Sequence, residues 1–311
     1  MNVSEPRPYT PPQMADTGPA LSFSCEGATA LVTGASRGLG RAIAQALARS
    51  GASVVLVARD ARGLEETGKG LASLLKPGAR SLALPADISA ESFPEELQGF
   101  LRRAGAVPDI LVNNAASQGP IGPFWETDWN EWSGSFALNA FAPVRLCRLL
   151  LPGMIERGWG KIVTLSGGGA TGPRPRFTAY GAAKTLLVRF TETLAEELKP
   201  HHVDANAVAP GAMASAMTEA ILAAGPSLAG EKEFESARKL SAGTEAVTAR
   251  AARLCAFLAS HDSDGVTGRL VSAAWDPWET LAARRADLAA TDVYTLRRIV
   301  PSERGLDWGQ T

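Results

Sequence analysis

The sequence predicts an α/β fold, a doubly wound parallel sheet of about seven strands in a single domain with N- and C-terminal extensions. Three observations predict it. Short apolar runs recur along the chain, separated by stretches whose apolar residues have helical spacing. The runs are continuously apolar, as strands buried on both faces are. The first run leads straight into a glycine-rich turn and then a helical pattern.

Ala28-Thr29-Ala30-Leu31-Val32 is the first strand and Thr33-Gly34-Ala35-Ser36-Arg37-Gly38-Leu39-Gly40 the turn. Ile43, Ala44, Leu47 and Ala48 mark one face of a helix that stops at Gly51. The glycines allow a tight turn and close approach of backbone to a pyrophosphate. The helix N-terminus offers free N–H groups and the positive end of its dipole. Ser53 to Val57 is the second strand. An acidic residue after this strand usually binds the adenosine ribose, but here Ala58 holds that place and Arg59 follows. An arginine binds a 2′-phosphate that an acid would repel, and Arg37 is placed to close on the same group. NADP(H) is therefore favoured over NAD(H). Asp60 is the residue that would pair with ribose in the alternative.

A helix from about Ala61 to Leu75 ends near Pro77-Gly78, and Arg80 to Leu84 is the third strand. Asp87, before Ile88, is placed either to bond an adenine amino group or to cap the helix that runs on to Ala104. Asp109 to Val112 is the fourth strand and leads into Asn113-Asn114-Ala115-Ala116. Thr127 is the expected N-cap of the next helix, and Pro143 suggests a kink within it. Trp125, Trp129 and Trp132 fall at helical spacing, which favours core or subunit-interface packing over substrate stacking. Lys161 to Leu165 is the fifth strand, followed by Ser166-Gly167-Gly168-Gly169. Thr178 to about Leu198 reads as a helix with Leu186, Leu187, Phe190, Leu194 and Leu198 on its apolar face.

Tyr180 and Lys184 share one face of that helix. A free phenol has a pKa of about 10. A neighbouring ammonium favours the phenolate, so the pair is a candidate acid/base device. Arg174 and Arg176, just upstream, either bind an anionic substrate or stand in solvent. Val203 to Val208 is the sixth strand. Met213 to about Ala242, broken at Gly225-Pro226 and Gly230, reads as a lid over the substrate. Thr244-Glu245 caps a last long helix to Leu258, and Gly268 to Ser272 is the seventh strand.

The remaining composition narrows the function. The chain has 311 residues, 45% hydrophobic and 20% charged, with a net charge of -1. That balance argues against nucleic acid or an anionic membrane as partner. No apolar run is long enough to span a bilayer. Cys25, Cys147 and Cys255 are too scattered for a disulfide framework or a zinc site, so no metal is expected. Buried thiols in a reducing, cytoplasmic compartment are the expectation. Residues 1–24 lack the apolar core of a signal peptide; with Pro6, Pro8, Pro11, Pro12 and Pro19 they read as a disordered tail. Residues 25–276 form the domain, and 277–311 are an extension of unassigned role that either wraps the molecule or caps a neighbouring subunit.

Across residues 25–272 the chain resembles the short-chain dehydrogenase/reductase family, of the single-domain Rossmann type. The matching pieces are Thr33-Gly34-x-x-x-Gly38-x-Gly40, Asp87, Asn113-Asn114-Ala115, Asn139, Tyr180-x-x-x-Lys184 and Asn206-x-Val208-x-Pro210-Gly211. The resemblance implies that Tyr180, Lys184, Asn139 and a serine are catalytic, with Asn139 holding a water against Lys184. It implies cofactor contacts from Gly34, Ser36, Arg37, Gly38, Leu39 and Gly40 in the turn. Arg59, Asp87, Ile88, Asn113 and Ala115 follow at the adenosine end. Tyr180, Lys184, Pro210, Gly211 and Ser215 follow at the nicotinamide end. The family's serine aligns with Gly167, so Ser166 stands one residue early, and a shift of one at a strand end normally reverses the side chain. The three glycines allow the turn to bring Ser166 round. Thr164, a substrate hydroxyl or a water are the alternatives.

The implied activity is NADP(H)-dependent interconversion of a small-molecule carbonyl and alcohol, in a homodimer or homotetramer. Gly167 and the atypical tail motivate a second reading, a cofactor-binding regulator or scaffold that has lost catalysis. A dehydratase or epimerase on the same fold is the third.

Overall fold

The computed structural model describes residues 23–240 and 244–309. The proline-rich segment 1–22 and lid positions 241–242 therefore lie outside the described residues. The strands are β1 (Thr29–Thr33), β2 (Ser53–Ala58), β3 (Ser81–Pro85), β4 (Ile110–Asn113), β5 (Gly160–Leu165), β6 (Val203–Ala209) and β7 (Leu270–Ser272). They form one parallel sheet in the order β3-β2-β1-β4-β5-β6-β7. The order reverses between β1 and β4, which opens a crevice at the carboxyl ends of those strands.

The helices are α1 (Gly38–Arg49), α2 (Ala61–Leu71), α3 (Phe93–Ala104), α4 (Trp129–Phe136), α5 (Ala142–Arg157), α6 (Thr178–Leu198), α7 (Ala216–Ala229), α8 (Glu231–Lys239), α9 (Glu245–Leu258) and α10 (Arg285–Ala290). Alternate strand residues feed two cores, as the period of two requires. Ala30, Val32, Val54, Leu56, Ile110 and Val112 pack with Ile43 and Leu47 of α1 and with Leu254 and Phe257 of α9. Leu31, Val55, Val57, Leu111 and Ile162 pack with Leu97 of α3, Leu146 and Leu150 of α5, and Leu194 of α6. All three cysteines are buried and free, and burial pushes the Cys25 and Cys147 thiols up to about 12.

Several boundaries move. The N-cap of α4 is Asp128, whose carboxylate accepts the Glu131 N–H at 2.9 Å, while the Thr127 hydroxyl turns back to Phe124 O. The predicted kink is a π turn at Ala137–Phe141, with Pro143 in the first turn of α5 just after it. Thr244 stands at the N-cap of α9, yet its hydroxyl accepts the Ala214 N–H at 3.2 Å. Leu186 is exposed, so the apolar face of α6 is carried by Leu187, Leu194 and Leu198 with Phe190 partly buried. The helical run Trp129–Arg157 is long and apolar enough to cross a membrane by length and composition, contrary to the sequence reading. In the fold its Ala142, Leu146, Leu150 and Met154 are core residues against the sheet. Trp129 and Trp132 stack with ring centroids 5.4 Å apart, and Trp125 and Trp129 are exposed, so that aromatic row is not core.

The C-terminal extension folds back on its own chain. Trp278 is fully buried against Phe23 and Phe257. Tyr294 O accepts the Leu270 N–H at 2.8 Å, and Glu192 accepts the Leu296 N–H at 2.7 Å. Arg269 donates to the carbonyls of Thr291 and Val293 at 3.0 and 2.7 Å, and also to that of Leu288. The outer edge of β7 is thereby covered by the tail, which satisfies backbone groups an edge strand leaves open.

Candidate active site

A cleft of about 1360 Å³ opens over the crevice between β1 and β4. Its floor is the glycine turn. Gly34 has φ 68° and Gly38 φ 53°, the left-handed region that favours glycine. A Cβ at Gly40 would stand 2.1 Å from Gly34 O and 2.6 Å from Asn114 Nδ2, so a side chain there would force the turn open. The N-cap position of α1 is Arg37, whose side chain makes no capping hydrogen bond, and this leaves the first-turn N–H groups for an anion. These features fit a dinucleotide pyrophosphate. Gly34, Ser36, Arg37, Gly38, Leu39 and Gly40 all line the cleft.

Asn114 holds this floor to β4. Its Nδ2 donates to Thr33 O at 2.9 Å. The Asn114 and Ala115 N–H groups donate to Thr33 Oγ1 at 2.9 and 3.1 Å. Asn113 does not line the cleft. Successive residues of a strand point to opposite faces, and Asn113 points into the core, where its Nδ2 meets Cys147 Sγ at 3.7 Å. Asn113 is therefore not placed for the contact expected of it, whereas Asn114 and Ala115 line the cleft. The alternation of β4 was the available signal.

At the adenosine end, Arg59, Asp87 and Ile88 line the cleft. The Arg59 side chain is 76% exposed and pairs with Asp87 at 3.9 Å. Asp60 caps α2, accepting the Gly63 N–H at 3.0 Å. Asp87 does not cap α3, whose N-cap position is Ser92; it accepts the Ser89 hydroxyl at 2.6 Å and the Ser89 N–H at 2.9 Å. The Ser89 hydroxyl holds its carboxyl below the usual range, desolvation opposes this, and the Ser89 N–H and Arg59 add to it.

At the other end, Tyr180 and Lys184 project from α6 into the cleft. Lys184 Nζ donates to Leu165 O at 2.8 Å and lies 5.6 Å from the Tyr180 ring centroid. Burial pushes Lys184 down to about 8. Burial also raises Tyr180, and the opposing charge is Arg174. The expectation that Lys184 lowers the phenol's pKa is thus not met in the chain alone: both groups are pushed toward their neutral forms. Ser166 lines the cleft and is buried, with no hydrogen-bond partner for Oγ. Gly167 is closed to a side chain, since a Cβ there would stand 2.3 Å from the Tyr180 hydroxyl oxygen. Asn139 lies in the π turn; its Oδ1 accepts the Ser117 N–H at 2.9 Å and its buried Nδ2 has no partner. Pro210, Gly211 and Ser215 line the cleft, and the Ser215 hydroxyl also caps α7.

The segment expected to form a lid holds α7, broken at Gly225 (φ 74°), and α8, which follows Gly230 (φ 84°). Ile221, Ala229 and Ala237 pack on Phe177, just ahead of α6. Arg174 and Arg176, both partly exposed, are engaged by this segment: Arg174 lines the cleft but is paired with Glu233, and Arg176 does not line it. Arg174 Nη2 meets Glu233 at 2.7 Å, and Arg176 Nη1 donates to Ser227 O at 2.7 Å. Spacing in the sequence carried no signal for these long-range pairs.

Known proteins share this architecture. A profile of the short chain dehydrogenase family matches residues 28–225. The dehydrogenase/reductase SDR family member 4 of Caenorhabditis elegans is 31% identical over 79% of this chain and 93% of its own. Gluconate 5-dehydrogenase of Gluconobacter oxydans is 31% identical over 80% of this chain and 94% of its own. A crystal structure of 3-oxoacyl (acyl-carrier-protein) reductase from Agrobacterium tumefaciens C58, with NADP bound, superposes with TM-score 0.68 at 27% identity, covering 80% of this chain and 94% of that one. With the glycine turn, Asn114, Tyr180 and Lys184 gathered in one cleft and a family match across most of the sheet, the chain belongs to the short-chain dehydrogenase family and is an oxidoreductase of that family.

Proposed function

We propose that this protein interconverts a carbonyl and an alcohol with NADP(H), Tyr180 moving the proton. One observation carries this reading: the Tyr180 phenol and the glycine turn line the same cleft. The bound nicotinamide supplies the hydride. Burial keeps the phenol protonated, so Tyr180 enters the reducing direction as a donor to the developing alkoxide. Lys184, anchored on Leu165 O, bounds the nicotinamide end of the cleft and offers its remaining donors to a ribose there. Ser166 Oγ, buried and unpartnered, is the hydroxyl available to the substrate oxygen in place of the missing serine at 167.

NADP(H) is favoured because Arg59, largely exposed and in a long 3.9 Å pair with Asp87, stands beside the adenosine end while the adjacent Asp60 carboxylate is engaged as a helix cap. The NADP-bound reductase from Agrobacterium tumefaciens supports the same cofactor class.

Tyr180→Phe is expected to lower turnover at least ~10²-fold, the range of a lost general acid, while NADPH still binds. Reduced-cofactor absorbance reads the rate and fluorescence titration the binding. Full turnover in the variant would remove Tyr180 from the chemistry. Arg59→Asp is expected to move the NADPH/NADH preference in kcat/KM toward NADH by ~10-fold or more, the worth of one charge-assisted contact. An unchanged ratio would mean that Arg59 does not meet the 2′-phosphate.

A further inference from the structure

Gln118 lies in the loop that leads from β4 toward α4 and has no part in the reading above. Its side chain is 6% exposed and lines the cleft, and its Nε2 has no hydrogen-bond partner. A buried amide left unpaired is costly, so its placement on the wall of a cleft calls for a ligand atom.

The surroundings place it at the substrate end. Gly119, the next residue, packs between α4 and the first turn of α6: its Cβ would stand 3.3 Å from Ser135 Cβ and 3.8 Å from Ala179 Cβ. Gly122 donates its N–H to Arg176 O at 2.9 Å, and a Cβ there would lie 3.7 Å from Leu228 of the lid. The loop that bears Gln118 thus runs past the first turn of α6 and, at Gly122, past α7. The two arginines at that end are engaged, Arg174 with Glu233 and Arg176 with the Ser227 carbonyl. Arg174 lines the cleft with its charge offset by Glu233, and among the described residues there the buried polar groups left without a partner are the Gln118 amide and the Ser166 hydroxyl. Neutral donors suit a carbonyl or hydroxyl oxygen better than a carboxylate or phosphate.

We propose that Gln118 is a specificity-determining residue that hydrogen-bonds a second oxygen borne next to the reacting carbon, so that vicinally oxygenated carbonyl compounds are turned over in preference to simple ketones. This rests on the reductase reading above.

The test uses the full-length protein with NADPH and two matched pairs, butane-2,3-dione with butan-2-one and cyclohexane-1,2-dione with cyclohexanone. Each substrate is compared between wild type and variant, which cancels the dione's greater intrinsic reactivity. Gln118→Leu is expected to lower kcat/KM for the diones ~10–100-fold, chiefly through KM. The loss should be at least ~10-fold greater than for the monoketones. Gln118→Met, which nearly keeps the length and volume but has no N–H donor, should show the same selective loss and serves if the leucine variant does not fold. Equal losses on both members of each pair, or no loss, overturn the inference and leave the reductase reading standing. If wild type binds NADPH but reduces none of the four, the reductase reading falls and this inference falls with it.

Discussion

The hydroxyl of Tyr180 occupies the volume that a side chain at position 167 would need. A Cβ at Gly167 would stand 2.3 Å from that oxygen and 3.1 Å from two ring carbons, closer than packed atoms approach. Glycine here permits the phenol's present seat, and a larger residue must move it. Gly167→Ala is therefore expected to cut turnover on the order of 10²-fold, the cost of an ångström-scale misplacement, with Tm and NADPH binding held. Steady-state kinetics beside a thermal melt checks this. Wild-type turnover in that variant would mean that Tyr180 has a second productive position. The same residue scale explains why Lys184 does not tune the phenol in the chain alone. Its ammonium is desolvated and turned to the Leu165 carbonyl, so burial sets the state of both groups.

At the scale of elements, α7 and α8 pack chiefly on one another and form the expected lid. It rests on a small apolar cluster around Phe177 and Ile221 and on a two-point contact from Arg174 Nε and Nη2 to Glu233, at 3.1 and 2.7 Å. Both side chains are partly exposed, so the pair contributes about 1 kcal/mol rather than a buried bridge's worth. Arg174→Gln should weaken lid closure by about that amount and speed amide exchange across α7 and α8 roughly fivefold, with the core strands unchanged. Hydrogen exchange read by mass spectrometry resolves the two regions, and uniform exchange would show that the apolar cluster alone holds the lid. The π turn is the second device at this scale. It inserts one wide turn between α4 and α5 and carries Asn139 inward to bond the Ser117 N–H, which fixes the start of the loop that bears Gln118.

For the whole molecule, the tail is part of the fold. Trp278 fills a space between α9 and the N-terminal Phe23, and Arg250 ties the same segment down through Ala273 O at 2.6 Å and Glu279 at 2.5 Å. Trp278→Ala should cost about 3–5 kcal/mol by cavity formation, read as a lower denaturant midpoint with the slope unchanged. A loss below about 1 kcal/mol would mean that the tail is a loose appendage.

The order of strands and helices, the glycine turn and the Tyr180–Lys184 face were legible in the sequence, because apolar period, glycine chemistry and one-turn spacing are local properties of the chain. The β4 alternation that sends Asn113 to the core and Asn114 to the turn was legible too, once the strand's face is counted. Other features depend on residues far apart in sequence and so required the tertiary structure. Arg174 and Arg176 meet lid groups on α7 and α8, the tail closes over β7, and Gly167 meets the phenol of a later helix. Local pattern sets which elements form, whereas burial and distant partners set what each charged or polar group is free to do.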